Sequence, residues 1–329
     1  MKLRFFSLLL LLALLLSSCG TQTHMAVFYN KMSTDVAVTL YSNGQTHTGK
    51  ELLRACEELL DQAETVFSRT APTAELAMLN AEGAETVAVS PELGALLARS
   101  LSLAEETGGL FDPTAGILSD LYDITGTSPL PTAGEIAAAL PLTGYTGVAL
   151  ADGKVSRTPG VVLDLGAIAK GYLAEQLVCL LTEAGVSGGV LSLGGNVAVF
   201  GKKKDGSAFR VAIRSPHDEG GTLGVLSISG TAYISTSGAY ERYREDEEGN
   251  RYHHIFDMQT GRPAESDLLS VTVISQDGAL ADAYSTALFV GGYERALQLW
   301  QQAGGTFEML LVREGGEIYT TPGLSFTPV

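Results

Sequence analysis

Short apolar runs at 161–165, 190–193, 197–200, 209–213, 224–229 and 232–236 follow one another through the second half of the chain. Runs this short, broken by Gly, Lys, Asp and Ser, read as β-strands, because a helix needs a longer repeat. Helical spacing is scattered instead, at 50–67, 90–107, 132–140, 171–184, 279–290 and 293–303. Clustered strands and dispersed helices predict an α+β fold and argue against a doubly wound parallel sheet, in which the two alternate. Of the 329 residues 45% are hydrophobic and 18% charged, so a sizeable core is available and disorder, collagen and coiled coil are excluded.

Local signals sharpen several elements. Ser90-Pro91-Glu92 opens a helix, with Ser capping free N–H groups and Pro in the first turn. A strand at 26–41 feeds the helix at 50–67. Two hairpins are predicted, turning at Lys203-Lys204-Asp205-Gly206 and at Asp246-Glu247-Glu248-Gly249-Asn250. A strand at 269–275 precedes the last two helices and a terminal strand pair follows them. The stretch 125–131 is a loop, and residues 19–329 are read as one domain.

At the N-terminus, Lys2 and Arg4 precede an apolar run at 7–16 and then Leu16-Ser17-Ser18-Cys19-Gly20. The run is about half of the roughly 20 residues that cross a bilayer, so it reads as an export signal. Small residues before a cysteine resemble a bacterial lipobox, in which residues 1–18 are removed and Cys19 is diacylglycerol-modified. A plain secretory signal and an uncleaved anchor are the other readings, and each still places the body outside the cytoplasm. The expectation is a membrane-anchored lipoprotein on the extracytoplasmic face. Cleavage removes two cations and no acid, which takes the net charge from −16 to −18. Such a chain lacks the cations that replace counterions on a phosphate backbone, so nucleic acid is excluded as a general partner. Cys56 and Cys179 sit in helical patterns and are expected as buried thiols, with a disulfide between them left open.

Four segments combine tight-turn residues with oxygen ligands: Gly108 to Thr114, Asp164 to Tyr172, Ser235 to Tyr240 with His253 to Pro263, and Ala281 to Ala287. Asp164 and Lys170 suit a phosphate subsite at a helix start, or equally a helix cap and a solvated lysine. Asp282 and Thr286 are four apart, hence on one helix face, which suits magnesium or a buried Thr beside a capping Asp. His253 and His254 are adjacent on an apparent strand and point to opposite faces, so zinc is not expected. The acidic run Glu245 to Glu248 reads as a solvated hairpin tip.

In this order, Phe67-Ser68, Leu79-Asn80, GGLFDPT, DLGAIAKGY, SLGGNVAVFG, TSGAYERY, HHIFDMQTGRP and ADAYSTA resemble the ApbE family of FAD:protein FMN transferases, over most of the mature chain. The resemblance implies a T-fold-like arrangement of mixed sheets with packed helices. It implies Mg2+-dependent transfer of FMN from FAD to a threonine hydroxyl of an exported acceptor, with release of AMP. Subunits of Rnf-type or sodium-pumping NADH:quinone reductases are acceptors of that kind. It also implies roles: Asp282, Thr286 and the Ala167 carbonyl for the metal; Met32, Leu110, Phe111, Asp112, Asp164, Lys170 and Ile255 for FAD; His254 for proton transfer. One departure is Arg69-Thr70, where many members carry a Tyr that stacks on FAD. Hydrolysis of FAD to FMN and AMP, or FAD binding without catalysis, are the alternatives.

Overall fold

Thr48 accepts the Glu51 amide while the Glu51 carboxylate takes the Thr48 amide at 2.8 Å, a reciprocal cap that starts α1, Gly49–Phe67. The computed structural model describes residues 22–42, 47–83, 86–218 and 220–329. The export signal and Cys19 lie outside the described residues. Further helices are α2 (Glu75–Ala81), α3 (Pro91–Glu106), α4 (Gly116–Tyr122), α5 (Ala133–Ala139), α6 (Ala169–Glu183) and α7 (Gly278–Gln302). Ser90 caps α3 by accepting the Leu93 amide at 3.1 Å, with Pro91 in the first turn. Among the described residues no helix is long and apolar enough to cross a membrane.

One eight-stranded sheet organises the molecule. Its strands are β1 (Gln22–Lys31), β2 (Thr34–Ser42), β3 (Gly188–Leu193), β4 (Asn196–Gly201), β5 (Ala232–Gly238), β6 (Leu268–Ser275), β7 (Phe307–Arg313) and β8 (Ile318–Thr320), and they lie side by side in that order. Each neighbouring pair is antiparallel. α1 to α6 are inserted between β2 and β3, and α7 between β6 and β7. Val36, Val38 and Leu40 of β2, Leu191 and Leu193 of β3, and Val271 and Val273 of β6 bury against these helices in the main core. On the opposite face Val199, Ile234 and Ile274 meet Phe209, Val211, Ile213 and Leu226 of a three-stranded sheet, Phe209–Arg214, Thr222–Ile228 and Phe326–Pro328. The fold is thus α+β, with helices on one side of the large sheet and a small sheet on part of the other.

Several expectations change. The single strand at 26–41 is two strands, because Asn30, Met32 and Ser33 adopt φ of 56°, 53° and 57° and reverse the chain without a glycine. The Met32 amide is held there by Glu64 Oε1 at 3.2 Å, a tertiary contact with no local signature. The run 161–165 joins no ladder: Asn80 brackets Leu163, donating to its carbonyl and accepting its amide, each at 2.8 Å. The turn at Lys203 to Gly206 is not a hairpin, since it carries the chain from β4 into the small sheet. The acidic hairpin holds, pairing Tyr243–Glu245 with Arg251–His253. The two helices at 279–290 and 293–303 form one run broken at Gly292, where φ is 72°. Cys56 is buried, which pushes its thiol up to about 12. Cys179 is exposed, contrary to expectation, and both thiols are free.

Candidate active site

Gly171 and Gly278 let α6 and α7 cross with backbones in contact. A Cβ on Gly171 would meet the Gly278 carbonyl oxygen at 2.0 Å, and one on Gly278 would meet the Gly171 oxygen at 2.5 Å. This approach brings the Gly171 N–H to Asp282 Oδ2 at 2.9 Å, in the first turns of α7. The same bond takes the N–H that a helix would ordinarily give to the carbonyl four residues back, that of Ala167. Asp282 and Thr286 thus lie on α7 at this crossing, and Ala167 immediately precedes the start of α6.

The floor beneath Asp282 comes from β5. Ser235 and Ser237 alternate on one face of that strand, and Ser235 Oγ lies 3.0 Å from Asp282 Oδ1 and 2.8 Å from Asn196 Oδ1. Ser237 Oγ is 2.8 Å from Ser285 Oγ and 3.3 Å from Thr286 Oγ1, and Ser285 Oγ donates to the Asp282 carbonyl at 2.8 Å. One serine hydrogen cannot serve both the Asn196 and the Asp282 oxygens, and Asn196 Nδ2 is buried without a partner. Exchanging the amide O and N of Asn196 resolves this, because Nδ2 then donates to Ser235 and the Ser235 hydroxyl donates to Asp282. Asn196, Ser235, Ser237 and Ser285 received no role from the sequence. The signal was there in period two for the serine pair, and in the spacing of Ser285 beside Asp282 and Thr286.

The set Asp282, Thr286 Oγ1 and the Ala167 carbonyl is all oxygen with one carboxylate. That suits magnesium, which keeps several waters and takes one or two carboxylates plus phosphate oxygens. Among the described residues no three His, Cys, Asp or Glu side chains gather as a metal cluster.

His253 ends the strand Arg251–His253 and His254 lies just past it, yet the two rings still part, His253 buried and His254 exposed. The Ile255 amide donates to His253 Nδ1 at 3.2 Å, so His253 carries its proton on Nε2, which faces the Ala264 oxygen at 3.1 Å. Both ring nitrogens are used, and the ring is buried. His254 Nδ1 lies 3.2 Å from the Arg242 carbonyl, which only accepts, so Nδ1 carries the proton and Nε2 keeps a free lone pair. Part of His254 is open to solvent, yet protein crowds its ring closely enough that burial pushes its pKa down to about 4. The Arg242 carbonyl opposes that shift, and the charges of Arg242 and Lys170 add to it. Lys170, near enough to act on His254, donates to the Gly166 carbonyl at 2.9 Å.

The other predicted residues are placed as follows. Asp164 accepts the Gly166 amide on Oδ1 and the Ser119 hydroxyl on Oδ2, each at 2.9 Å, and Arg69 Nε stands 3.5 Å from it. Arg69 also pairs with Asp120, so at the departure from the aromatic pattern a cation is spent on two acids. Phe111 is buried, and Asp112 accepts the Thr114 amide and hydroxyl on Oδ1 and the Tyr145 amide on Oδ2. Leu110 is half-buried. The Asp112 carboxylate is thus taken up by hydrogen bonds within the loop and to Tyr145. Met32 sits on the β1–β2 turn and Ile255 is buried beside the histidine pair. A cavity of about 700 Å³ lined by Arg99, Glu106, Asp277 and Tyr284 shares no residue with this cluster.

The ApbE family model matches residues 32–311. An FAD:protein FMN transferase of Treponema pallidum is 35% identical over 309 residues, covering 88% of this chain and 85% of that protein. The crystal structure of the ApbE protein from Thermotoga maritima superposes with a TM-score of 0.84 at 31% identity, over 92% of this chain and 97% of that one. The flavin transferase ApbE from Vibrio cholerae gives 0.82 at 26% identity, over 92% and 98%.

Proposed function

This chain belongs to the ApbE family, and we infer from that membership and the site that it is an FAD:protein FMN transferase, an enzyme that moves the FMN half of FAD onto an acceptor protein. The finer chemistry follows from the groups at the junction. A threonine oxygen of the acceptor attacks the flavin-side phosphorus, a new P–O bond forms, and the pyrophosphate P–O bond breaks so that AMP leaves with the bridging oxygen. His254 Nε2, neutral and unpaired, takes the hydroxyl proton. Asp282, Thr286 and the Ala167 carbonyl would hold Mg2+, which when bound neutralises charge on the phosphate oxygens. Gly171 and Ser235 hold the Asp282 carboxylate in one orientation, and Lys170 supplies a cation near His254. Asp164, Leu110, Phe111, Asp112, Met32 and Ile255 would position the FAD.

The observation that carries this reading is the junction of Gly171, Asp282 and Thr286, next to a Lys170 close enough to act on His254, whose Nε2 is free. The lipobox adds an extracytoplasmic lipid anchor and an exported acceptor. Incubating the mature protein with FAD, Mg2+ and a candidate acceptor domain should give in-gel flavin fluorescence on the acceptor. Asp282→Ala and Asp282→Asn should each lower transfer about a hundredfold or more, by comparison with loss of a key electrostatic group, while FAD still binds. Wild-type rates for either variant across a magnesium titration would remove the metal from Asp282.

A further inference from the structure

The small sheet covers the helix-free side of the large sheet only at its centre. At one end the edge strand β1 turns Met25, Val27 and Tyr29 outward, 72%, 49% and 70% exposed. Alternation places all three on one face, where β2 adds exposed Ala37 opposite Val27 and half-buried Thr39 opposite Met25. Asp35 closes the row at its turn end. Natural edges are ordinarily blunted by charge or covered, and from Met25 to Tyr29 this one is neither. Around the strand lies a groove of about 560 Å³ against the start of α1, which Met25 also lines. Its lining mixes Lys50 and Arg54 with Glu57, and Arg54 pairs with Glu58, so charge does not select what sits on this edge.

Chain length does. Cys19 precedes Gln22 by three residues, which puts the start of β1 within about 11 Å of a lipid on that thiol. We propose that β1 rests on the phospholipid bilayer that holds the Cys19 lipid, with Met25, Val27 and Tyr29 in its headgroup region. The proposal rests on the lipoprotein reading. Tyr suits that depth, with an apolar ring and a polar tip. The tether supplies a high effective concentration, so a row too small to bind membranes unaided contributes once the lipid is inserted. A net charge of −18 after cleavage gives no attraction to an anionic surface, which leaves lipid and apolar contact to set the orientation. A second copy would have to be met by diffusion, whereas the bilayer is three residues away. The consequence is positional: β5, with Ser235 and Ser237, stands four strand spacings from β1, about 19 Å across the sheet. A membrane-resting β1 therefore fixes where an acceptor threonine must be presented.

The test uses the lipidated protein reconstituted in phosphatidylcholine vesicles, carrying Cys179→Ser and a bimane fluorophore on either Val27→Cys or Ile318→Cys. Ile318 is 38% exposed on β8, the opposite edge. Nitroxide-labelled phosphatidylcholine should lower the emission at position 27 about twofold or more, as for groups seated at the headgroup boundary, and leave position 318 unchanged. If the protein floats with the vesicles and position 27 is unquenched, the membrane contact is wrong and the lipid anchor stands. If the protein does not float and mass spectrometry finds Cys19 unmodified, both fall. Cross-linking of two copies through position 27 without quenching makes the occupant a second chain and overturns the proposal.

Discussion

His254 shows how one backbone contact decides a chemical role. With Nδ1–H given to the Arg242 carbonyl, the free Nε2 is a base, and burial that pushes the pKa down to about 4 keeps it neutral across the physiological range. Transfer should therefore show no limb from this group between about pH 6 and 8, and should fall only as pH drops toward 4 and the imidazole protonates. Initial rates of acceptor fluorescence from pH 4 to 8 check this, and a limb near the ordinary imidazole value of about 6.5 contradicts it. His254→Asn keeps a donor for Arg242 and loses the base, so transfer should drop about a hundredfold with FAD affinity retained. Adjacency in the sequence said only that the two histidines face apart, and the choice of His254 came from the resemblance, in which it precedes Ile255. The sequence was silent on the tautomers: that of His254 depends on the Arg242 carbonyl twelve residues away, and that of His253 on the Ile255 amide, two residues on, once the fold aims it at Nδ1.

Between elements, the crossing of α6 and α7 is the most sensitive point. Gly171→Ala drives a methyl into the Gly278 carbonyl and the Asp282 Cβ, so it should cost about 1–3 kcal/mol or more in stability by overpacking. It should also weaken transfer beyond the unfolded fraction, because the Gly171 amide orients Asp282. Thermal unfolding measured beside the transfer assay separates the two effects. Glu175 of α6 accepts the Gly278 amide at the same crossing. Burial raises its pKa to about 7, Asp277 adds to the rise, and the Gly278 amide opposes it. Since the folded pKa lies above the free value, protonation favours the fold. That contribution is complete below about pH 4.5 and is lost as pH rises through 7. The melting temperature should therefore fall between pH 5 and 8, and Glu175→Gln, which keeps a carbonyl acceptor, should flatten the profile. An unchanged slope in the variant would assign the pH dependence to another group. The two helices were legible here from apolar periodicity, while the crossing itself was not, since a glycine that lets another backbone approach looks like any other glycine in sequence.

For the whole molecule, the lipobox and the charge make a separable prediction. Cys19→Ala should leave the folded protein in the soluble fraction, because the described residues hold no helix that could span a membrane. Continued sedimentation of that variant with membranes would end the lipoprotein reading. Local chemistry along the chain was enough for the α+β class, the Ser90-Pro91 helix start, the acidic hairpin and the break between 290 and 293. Each of these depends on neighbours within a few positions, through capping, turn preference or apolar period. Only the tertiary structure decided the rest. It split 26–41 through a contact from Glu64, bracketed Leu163 with Asn80 in place of a ladder, sent 209–214 to a second sheet and left Cys179 exposed. It also joined Asn196, Ser235 and Asp282, because a buried polar group is completed by whatever donor the fold brings to it, at a distance along the chain that no local pattern records.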